Sequence, residues 1–318
     1  MTDYGMTLSS EEHDPRTLVR NAVRAEDVGF SFCSISDHFH PWIAEQGHSP
    51  FVWGVLGAIA NATSSIDVGT GVTCPIIRIP PTIVAHAAAT TSQLFEGRFF
   101  LGVGTGEALN EHINGDRWPR PAVRRDMLAE ALVVIRRLWT GETVDHRGEY
   151  YEVENARLFD PPVQPMRIIV SGFGDAAVEL AAAVGDGYWG HTPDKAIVDK
   201  YIDAGGSGPR YAQMDLCYGA TRDACIETVM KYWPNAGVTG QLSQDLPTWT
   251  HFEQAVKTVR AEDATAHLPC GPDIGAIVDS VEQYREAGYD HIYFHQIGPD
   301  QEAFVKVWDN ELRDAIGG

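Results

Sequence analysis

The stretch Phe99-Phe100-Leu101-Gly102-Val103-Gly104-Thr105-Gly106-Glu107-Ala108-Leu109-Asn110 joins a short apolar run to a glycine-rich turn. A helical pattern follows over Arg120–Trp139, where apolar residues recur close to every 3.6 positions: Met127, Leu128, Ala131, Val134, Ile135 and Leu138. A strand, a turn and an amphipathic helix are the parts of a βα unit. This stretch therefore predicts a parallel sheet with helices packed on it.

The same alternation continues along the chain. Eight runs are predicted to be strands: Tyr4–Leu8, Ser31–Ser36, Ile66–Gly71, Phe99–Gly104, Arg167–Ser171, Gly187–Gly190, Met214–Gly219 and His291–His295. The predicted helices between them include Asp14–Val28, Phe51–Asn61, Pro81–Leu94, Arg120–Trp139, Ala176–Val184 and Ile274–Ala287. Eight strands that alternate with helices predict a TIM barrel formed by one domain over residues 1–318.

Two regions of the sequence are additional to the eight strands and the helices of a minimal TIM barrel. Val144–Val153 is predicted to form a β-hairpin that turns at Arg147-Gly148. Ala204–Arg210 and Thr221–Leu268, an insertion region over about residues 205–268, are rich in Gly and Trp. We expect them to cover the end of the barrel where the carboxyl ends of the strands carry the active site.

Composition narrows the class of protein. A hydrophobic fraction of 44% and a charged fraction of 21% are typical of a globular protein with a large core. The net charge of −20 argues against nucleic acid and anionic membranes as partners, and any anionic cofactor then needs local donors. We expect no secretory signal, because Met1–Gly5 lack a basic and an apolar region, and no membrane span, because no apolar run approaches ~20 residues. Five scattered cysteines without a Cys-x-x-Cys pair indicate reduced thiols in a cytoplasmic protein.

The first group of candidate catalytic residues is Ser36-Asp37-His38-Phe39-His40-Pro41-Trp42, directly after the second strand. A histidine there can accept a substrate proton, since an ordinary histidine has a pKa of ~6.5. In the alternative, Asp37 caps a turn and both histidines bond to the backbone. No metal site is predicted from His38-x-His40, because neighbouring strand side chains point oppositely and no third ligand follows at suitable spacing.

Glycine-rich turns follow two further strands. Three alternate glycines in Gly102–Gly106 let the backbone approach a planar ring or a phosphate, and Glu107 is either a site residue or a charge at a helix start. Ser171-Gly172-Phe173-Gly174-Asp175-Ala176-Ala177 opens a helix, whose N–H groups suit a phosphate. It also fits a dinucleotide-binding pattern with Asp194 about 20 residues on. A late phosphate site in a TIM barrel explains it better, because four βα-like units precede it.

The segment Thr70-Gly71-Val72-Thr73-Cys74-Pro75-Ile76 by itself predicts only a strand end and a turn, with Cys74 a buried apolar residue. Together, these segments resemble the luciferase-like superfamily of flavin and deazaflavin oxidoreductases. They are most similar to the branch that holds F420-dependent glucose-6-phosphate dehydrogenases and F420-dependent secondary alcohol dehydrogenases. The matching motifs are Asp37–Trp42, Gly104–Glu111, Thr73–Ile76 with Arg78, and Ser171–Gly174. The resemblance runs from Gly5 to His295 and weakens over about Gly205–Leu268.

This resemblance implies a bacterial luciferase-like TIM barrel that binds coenzyme F420, with FMN as the alternative cofactor, usually as a homodimer. The residues that match the family's catalytic group are His38, Trp42, Glu107 and, at the pocket wall, Glu11. Those expected around the deazaflavin ring are Asp37, Thr105, Gly106, Glu107 and Asn110, with a non-proline cis peptide at Gly71–Val72 pressed against it. Those expected at the phosphate-bearing tail are Ser171, Gly172, Phe173 and Gly174.

Oxidation of an alcohol needs a base for the hydroxyl proton, and we expect His38 to be that base, assisted by Trp42 and Glu107. Sugar-phosphate members of the family hold the phosphate with basic side chains. Lys195 matches one such position, whereas the other two fall near Gln241 and Thr265.

The expected substrate is therefore a small alcohol or a sugar hydroxyl. Thr73–Ile76 favours the secondary-alcohol members, and Trp233 and Trp249 suggest an apolar or sugar-stacking pocket. The alternatives are an FMN-dependent monooxygenase, an F420-dependent glucose-6-phosphate dehydrogenase and a barrel that binds cofactor without turnover, because a fold alone does not specify a reaction.

Overall fold

A computed structural model describes residues 2–317 of the chain. Its strands are β1 (Asp3–Leu8), β2 (Phe32–Ile35), β3 (Asp67–Thr70), β4 (Phe99–Val103), β5 (Val144–Arg147), β6 (Glu152–Ala156), β7 (Ile168–Ser171), β8 (Gly187–Gly190), β9 (Arg210–Leu216) and β10 (His291–Gln296). Eight of them close into a parallel barrel in the order β1-β2-β3-β4-β7-β8-β9-β10, and β10 pairs with β1. The predicted TIM barrel is confirmed.

Helices surround the barrel and connect its strands. They are α1 (Pro15–Asp27), α2 (Val52–Ala62), α3 (Pro81–Leu94), α4 (Ala108–Glu111), α5 (Pro121–Leu138), α6 (Asp175–Val184), α7 (Lys195–Asp203), α8 (Arg222–Tyr232), α9 (Gln241–Asp245), α10 (Trp249–Ala255), α11 (Ala261–Ala264), α12 (Ile274–Ala287), α13 (Gln301–Val307) and α14 (Arg313–Ala315).

Local sequence explains where several helices begin and end. The carboxylate of Asp14 accepts a hydrogen bond from the N–H of Arg16 at 2.9 Å, which is the usual way to cap the amino end of a helix such as α1. Asp273 caps α12 in the same way. That helix ends at Gly288, whose φ of 103° lies in the left-handed region that glycine adopts without strain.

The predicted hairpin is confirmed as β5 and β6. Its turn is closed by a bond of 3.0 Å from the N–H of Gly148 to the carbonyl of Tyr151, and its second strand continues to Ala156. Because β4 pairs directly with β7, the hairpin lies outside the barrel. None of the helices in residues 2–317 has the length and apolar character that crossing a bilayer requires.

One predicted strand and one predicted insertion were placed wrongly. The seventh barrel strand is Arg210–Leu216 rather than Met214–Gly219, because the polar residues Arg210 and Gln213 interrupt the apolar pattern at its start. Part of the insertion expected over 205–268 is therefore barrel strand. The segment 204–210 joins α7 to β9 and so lies at the amino end of the barrel, away from the strand carboxyl ends. The helices α8–α11, in contrast, do follow the carboxyl end of β9.

The barrel interior is filled in layers by alternate residues of each strand. One buried cluster joins six of these side chains: Phe32, Phe100, Ile169, Trp189, Tyr211 and Tyr293. The indole of Trp189 donates to the hydroxyl of Tyr293 at 2.6 Å, and that hydroxyl donates to Gln213 at 3.2 Å. Because side chains alternate with a period of two, the residues two or four positions beyond these six also face inward. Nearer the carboxyl ends they are Ser36, Gly104, Ser171, His191, Asp215 and His295. These positions form the floor of the candidate site.

Candidate active site

His38 lies in the loop after β2, next to Glu11 in the loop after β1. Nδ1 of His38 is 3.1 Å from Oε1 of Glu11, although the two atoms are not aligned as a hydrogen bond. Oε2 of Glu11 accepts from the hydroxyl of Ser36 at 2.6 Å and from that of Ser9 at 3.2 Å. A buried carboxylate, itself held by two hydroxyls, thus sits beside a mostly buried imidazole. A base with its orienting group has this arrangement.

Trp42 packs against His38 and also against the helices that follow β9. The rings of His38 and Trp42 meet edge to face with centroids 5.0 Å apart, and Trp42 meets Phe252 of α10 in the same way at 5.0 Å. The amide of Gln46 donates to the carbonyl of Tyr232 at 3.0 Å. The segment α8–α11 therefore contacts the loop that carries His38.

Arg78, between β3 and α3, joins three loops at the carboxyl ends of the strands. Its Nη2 donates to the Asp37 carboxylate at 2.9 Å and to the Asp37 carbonyl at 2.8 Å. Its Nε donates to Oε1 of Glu111 in α4 at 3.2 Å. The second carboxylate oxygen of Asp37 accepts from the hydroxyl of Thr73 at 2.8 Å. We call Asp37, Thr73, Arg78 and Glu111 the Arg78 network.

Charge and burial set the protonation states in the Arg78 network. Burial lowers the pKa of Arg78, but the carboxylates of Asp37 and Glu111 outweigh burial and hold this pKa above its usual value. Burial raises the pKa of Glu111 to about 7, and the neighbouring Arg78 limits the rise. Asp37, which we expected beside the cofactor ring or capping a turn, has both oxygens bonded within the network. Through these bonds and the bond from Arg78 to the Asp37 carbonyl, the network fixes the peptide that precedes His38.

Asn110 in α4 holds the same loop from the other side. Its Oδ1 accepts from the backbone N–H groups of Phe39 and His40 at 2.9 and 3.0 Å. The imidazole of His40 lies 3.1 Å from the carbonyl of Leu109. His40 therefore has the backbone-bonding role of our alternative interpretation, and His38 does not share it. The Nδ2 of Asn110 is buried and has no protein partner within residues 2–317.

Glu107 begins the short helix α4, and its carbonyl accepts from the N–H of Glu111 at 3.1 Å. Its half-buried carboxylate makes no capping bond. Because Glu111 in the same turn binds Arg78, the Arg78 network connects the loop of His38 with that of Glu107. Thr105, also half-buried, precedes this turn.

The part of the rim formed by β3 and β4 carries few side chains. The Gly71–Val72 peptide is cis, where the resemblance placed it. A Cβ on Gly104 would lie 2.8 Å from Cγ2 of Val72, and one on Gly106, whose φ is 69°, would lie 2.6 Å from Sγ of Cys74. We call this part of the rim, with Gly71, Gly104 and Gly106, the glycine-lined half. Backbone forms most of it, and a planar ring can approach backbone more closely than side chains.

Ser171, Gly172, Phe173 and Gly174 connect β7 with α6. Gly174 provides no side chain to cap the first turn of this ten-residue helix, so the backbone N–H groups there can bind an anion. The hydroxyl of Tyr188 donates to the carbonyl of Gly172 at 2.8 Å and steadies the loop. The exposed ring of Phe173 lies edge-on to His191 with centroids 6.3 Å apart.

A second group of charged residues lies at the rim, beside β1 and β8–β10. The sequence analysis did not predict this group. The imidazole of His295 lies 2.8 Å from Oε2 of Glu12 and 2.9 Å from Oδ1 of Asp215. Oδ2 of Asp215 is 3.4 Å from Nε2 of His191. We call Glu12, His191, Asp215 and His295 the polar cluster. The available signal was the inward period of two in β9 and β10, which places both Asp215 and His295 in the floor.

The members of the polar cluster shift one another's pKa values. Burial lowers the pKa of His295, but bonds to Asp215 and Glu12 outweigh it and raise this pKa to about 10. Burial acts to raise the pKa values of Asp215 and Glu12, and the adjacent imidazoles bring both below their usual range. The cluster thus holds an imidazolium between two carboxylates. No three His, Cys, Asp or Glu side chains in residues 2–317 are placed to hold a metal ion.

Lys195, expected to bind substrate, begins α7. Its Nζ lies 2.5 Å from the carboxylate of Asp199, and its side chain is 66% exposed. The two positions matched to further phosphate ligands carry no charge, and both side chains bond within their own helical segments: Gln241 to Asp245 and Thr265 to Ala261.

Three arginines that match no family position are the alternative ligands for a substrate phosphate. Arg222 is exposed at the start of α8, and the other two are paired elsewhere. Arg210 binds Asp290 at the amino end of β9, and Arg260 binds Asp263 on an exposed surface.

The rim of this closed parallel barrel places a histidine beside a buried carboxylate, next to a glycine-lined wall, and this arrangement suits a barrel oxidoreductase. The chain belongs to the luciferase-like monooxygenase family, whose model matches residues 1–291. It is 32% identical to an F420-dependent glucose-6-phosphate dehydrogenase of Amycolatopsis mediterranei (98% of each chain) and 33% identical to that of Kribbella flavida (97% and 96%). An F420-dependent secondary alcohol dehydrogenase in complex with an F420-acetone adduct superposes with a TM-score of 0.91 at 28% identity, over 99% of each chain.

The pKa of His295 predicts how stability depends on pH. Because this pKa is about 10 in the folded chain and 6.5 without the cluster, the folded state binds more protons between these values. The free energy of unfolding should therefore fall as the pH rises from about 7 to about 10. His295→Gln should flatten this dependence and cost about 3–5 kcal/mol near pH 7, where it leaves two buried carboxylates without their cation.

Urea unfolding at several pH values checks this prediction. His251→Gln, on the exposed surface of α10, is the matched control and should keep the wild-type slope. An unchanged slope in His295→Gln would show that this imidazole is not charged in the folded chain.

Proposed function

We propose that this protein is an F420-dependent dehydrogenase that transfers hydride between the carbinol carbon of an alcohol or sugar and the deazaflavin coenzyme. The observation that carries the proposal is the Glu11–His38 pair at the same rim as the glycine-lined half. Full-length similarity to F420-dependent dehydrogenases supports the choice of cofactor.

The residues proposed to hold the coenzyme form two groups. Around the ring these are Gly71, Val72, Thr105, Gly106, Glu107 and Asn110, and at the tail Ser171, Gly172, Phe173 and Gly174. The buried Nδ2 of Asn110 supports a ring contact, because a buried amide without a partner is costly. When bound, the deazaflavin accepts or returns hydride at the ring carbon that replaces N5 of a flavin.

In the proposed mechanism, His38 takes the proton of the substrate hydroxyl. Glu11, beside Nδ1, orients the imidazole and stabilises the imidazolium that forms. Trp42 packs on His38 and excludes water from that face. Glu107 supports the reacting hydroxyl from the α4 turn. Asp37 acts through the Arg78 network by fixing the loop that carries His38.

Assembly, partners and location are also inferred. Exposed apolar side chains on α3 and α5 (Ile83, Leu94 and Val133) support a homodimer. The net charge of −20 supports a small-molecule substrate without nucleic acid or membrane partners. Five free cysteines support a reducing cytoplasm.

We expect the purified protein to bind F420 with an affinity in the micromolar range and FMN more weakly. The reasons are the backbone surface of the glycine-lined half, which a planar ring can approach, and the similarity of the chain to F420-dependent dehydrogenases. Fluorescence quenching with F420, FMN and NADP in parallel measures the preference. Tight FMN binding with oxygen consumption and no F420 binding would instead make the protein an FMN-dependent monooxygenase, and binding without turnover of any alcohol would favour a non-catalytic barrel.

His38→Ala should lower kcat by about 10²-fold or more and leave F420 affinity largely intact, because the variant removes a base and no cofactor contact. Steady-state kinetics and F420 titration measure both effects. His40→Ala is the matched control, since its ring bonds to the Leu109 carbonyl, and it should stay within about threefold of wild type. Turnover of His38→Ala near the wild-type rate would transfer the role of base to Glu107.

The enzyme should discriminate against phosphorylated sugars. Lys195 is paired with Asp199, and the positions of Gln241 and Thr265 carry no charge, so a phosphate dianion lacks two cations. Since a charge-assisted hydrogen bond contributes about 1.5–3 kcal/mol, two lost partners reduce affinity at least about a hundredfold. Values of kcat/KM for glucose 6-phosphate, free glucose and isopropanol with F420 measure this. A clear preference for glucose 6-phosphate would make the protein a glucose-6-phosphate dehydrogenase.

A further inference from the structure

The floor of the rim has two chemically different halves. At β3, β4 and β7 the inward positions are occupied by small residues: Gly71, Gly104 and Ser171. At β8, β9 and β10 the corresponding positions carry His191, Asp215 and His295, with Glu12 behind them. The proposed function places the planar ring on the first half, so the polar cluster remains for another part of a ligand.

Within the polar cluster the inner and outer members differ in accessibility. The side chains of Glu12 and His295 are each 2% exposed, whereas those of Asp215 and His191 are 10% and 45% exposed. The inner pair therefore backs the outer pair. The Asp215 carboxylate is also fixed from below by the amide of Gln213, which donates to Oδ1 at 2.7 Å.

Stability alone is a poor explanation for such a cluster. Well-packed apolar residues of similar volume are commonly as stabilising as a buried ion pair, because both charges must be removed from water. A carboxylate held rigidly at a rim, with one edge accessible, is instead suited to accept hydrogen bonds from a ligand. The ring of Trp233, 4.4 Å from that of His295, adds an aromatic surface at the same place.

We propose that Asp215 and His191 form a hydroxyl-recognition subsite that selects an uncharged polyhydroxyl substrate, such as a free sugar or polyol. This inference rests on the proposed function and names its substrate class. Asp215 accepts from substrate hydroxyls, and His191 exchanges hydrogen bonds with a neighbouring one. Phosphate is disfavoured because Asp215 and Glu12 repel it. A cationic group gains little, because His295 already balances one of the two carboxylates.

The test compares two variants with a matched control. Asp215→Asn keeps the shape and removes the charge, and His191→Asn alters the exposed partner. Asp279→Asn, on the exposed side of α12, is the control. With F420, we expect KM for free glucose to rise about 10- to 100-fold in Asp215→Asn and less in His191→Asn. KM for isopropanol and the dissociation constant of F420 should remain within about threefold of wild type.

A second measurement does not depend on turnover. Saturation-transfer NMR with free glucose should show binding to the wild-type chain, with and without F420, and lose it in Asp215→Asn. If F420 neither binds nor turns over but this glucose signal still depends on Asp215, the proposed cofactor is wrong and the subsite stands.

Four outcomes would overturn the subsite. They are no glucose binding to wild type in either state, an equal loss for glucose and isopropanol, a loss of F420 affinity in Asp215→Asn, and tighter binding of glucosamine than of glucose by tenfold or more. The last would assign the cluster to a cationic substrate. The unfolding curve of Asp215→Asn shows whether this variant folds. If it does not fold, His191→Asn, at the exposed edge of the cluster, tests the subsite by the same criteria.

Discussion

Closure of eight parallel strands is the constraint on which the whole site depends, because it brings every strand carboxyl end to one rim. The period of two along each strand then decides which residues face inward at that rim. Trp189 and Tyr211 fill the layer below, so the inward positions above them form a floor rather than a pore. His191, two positions beyond Trp189, and Asp215, four positions beyond Tyr211, therefore belong to this floor.

Each half of the rim is fastened by a buried cation between two carboxylates. Arg78 bonds to Asp37 and Glu111 on the side of β2–β4, and His295 lies between Glu12 and Asp215 on the other side. The two arrangements differ in what they leave accessible. The Arg78 network is buried and fixes the backbone of the loops that carry His38 and Glu107. The polar cluster ends at side chains that solvent can reach, and so can interact with a ligand directly.

The sequence predicted the barrel well because strand, turn and helix signals are local. Pro81–Leu94 and Ile274–Ala287 were predicted with the observed bounds. The start of β9 was missed because Gln213, a polar residue that faces the barrel interior and bonds to Tyr293, is indistinguishable from a loop residue in the sequence.

The sequence predicted only those site residues that belong to long motifs shared with a known family. The pair Glu11 and His38 came from resemblance, since 27 positions separate the two residues in the chain and no local pattern joins them. The positions of Glu12 and His295 are farther apart still. Their contact depends on β1 pairing with β10, which is a property of closure and cannot be read from either segment alone.

The charge balance of the chain explains why different ligand groups need different donors. A net charge of −20 repels an anion approaching from solution, although salt screens this beyond about 8 Å. Neither buried cation can compensate, since Arg78 and His295 each lie between two carboxylates. An anionic tail must then be bound at short range by backbone N–H groups, as at the start of α6, where the N-cap residue Gly174 has no side chain to occupy them. In the proposed subsite, a rigid carboxylate such as Asp215 binds uncharged hydroxyls, so the acidic surface and an uncharged substrate are consistent with each other.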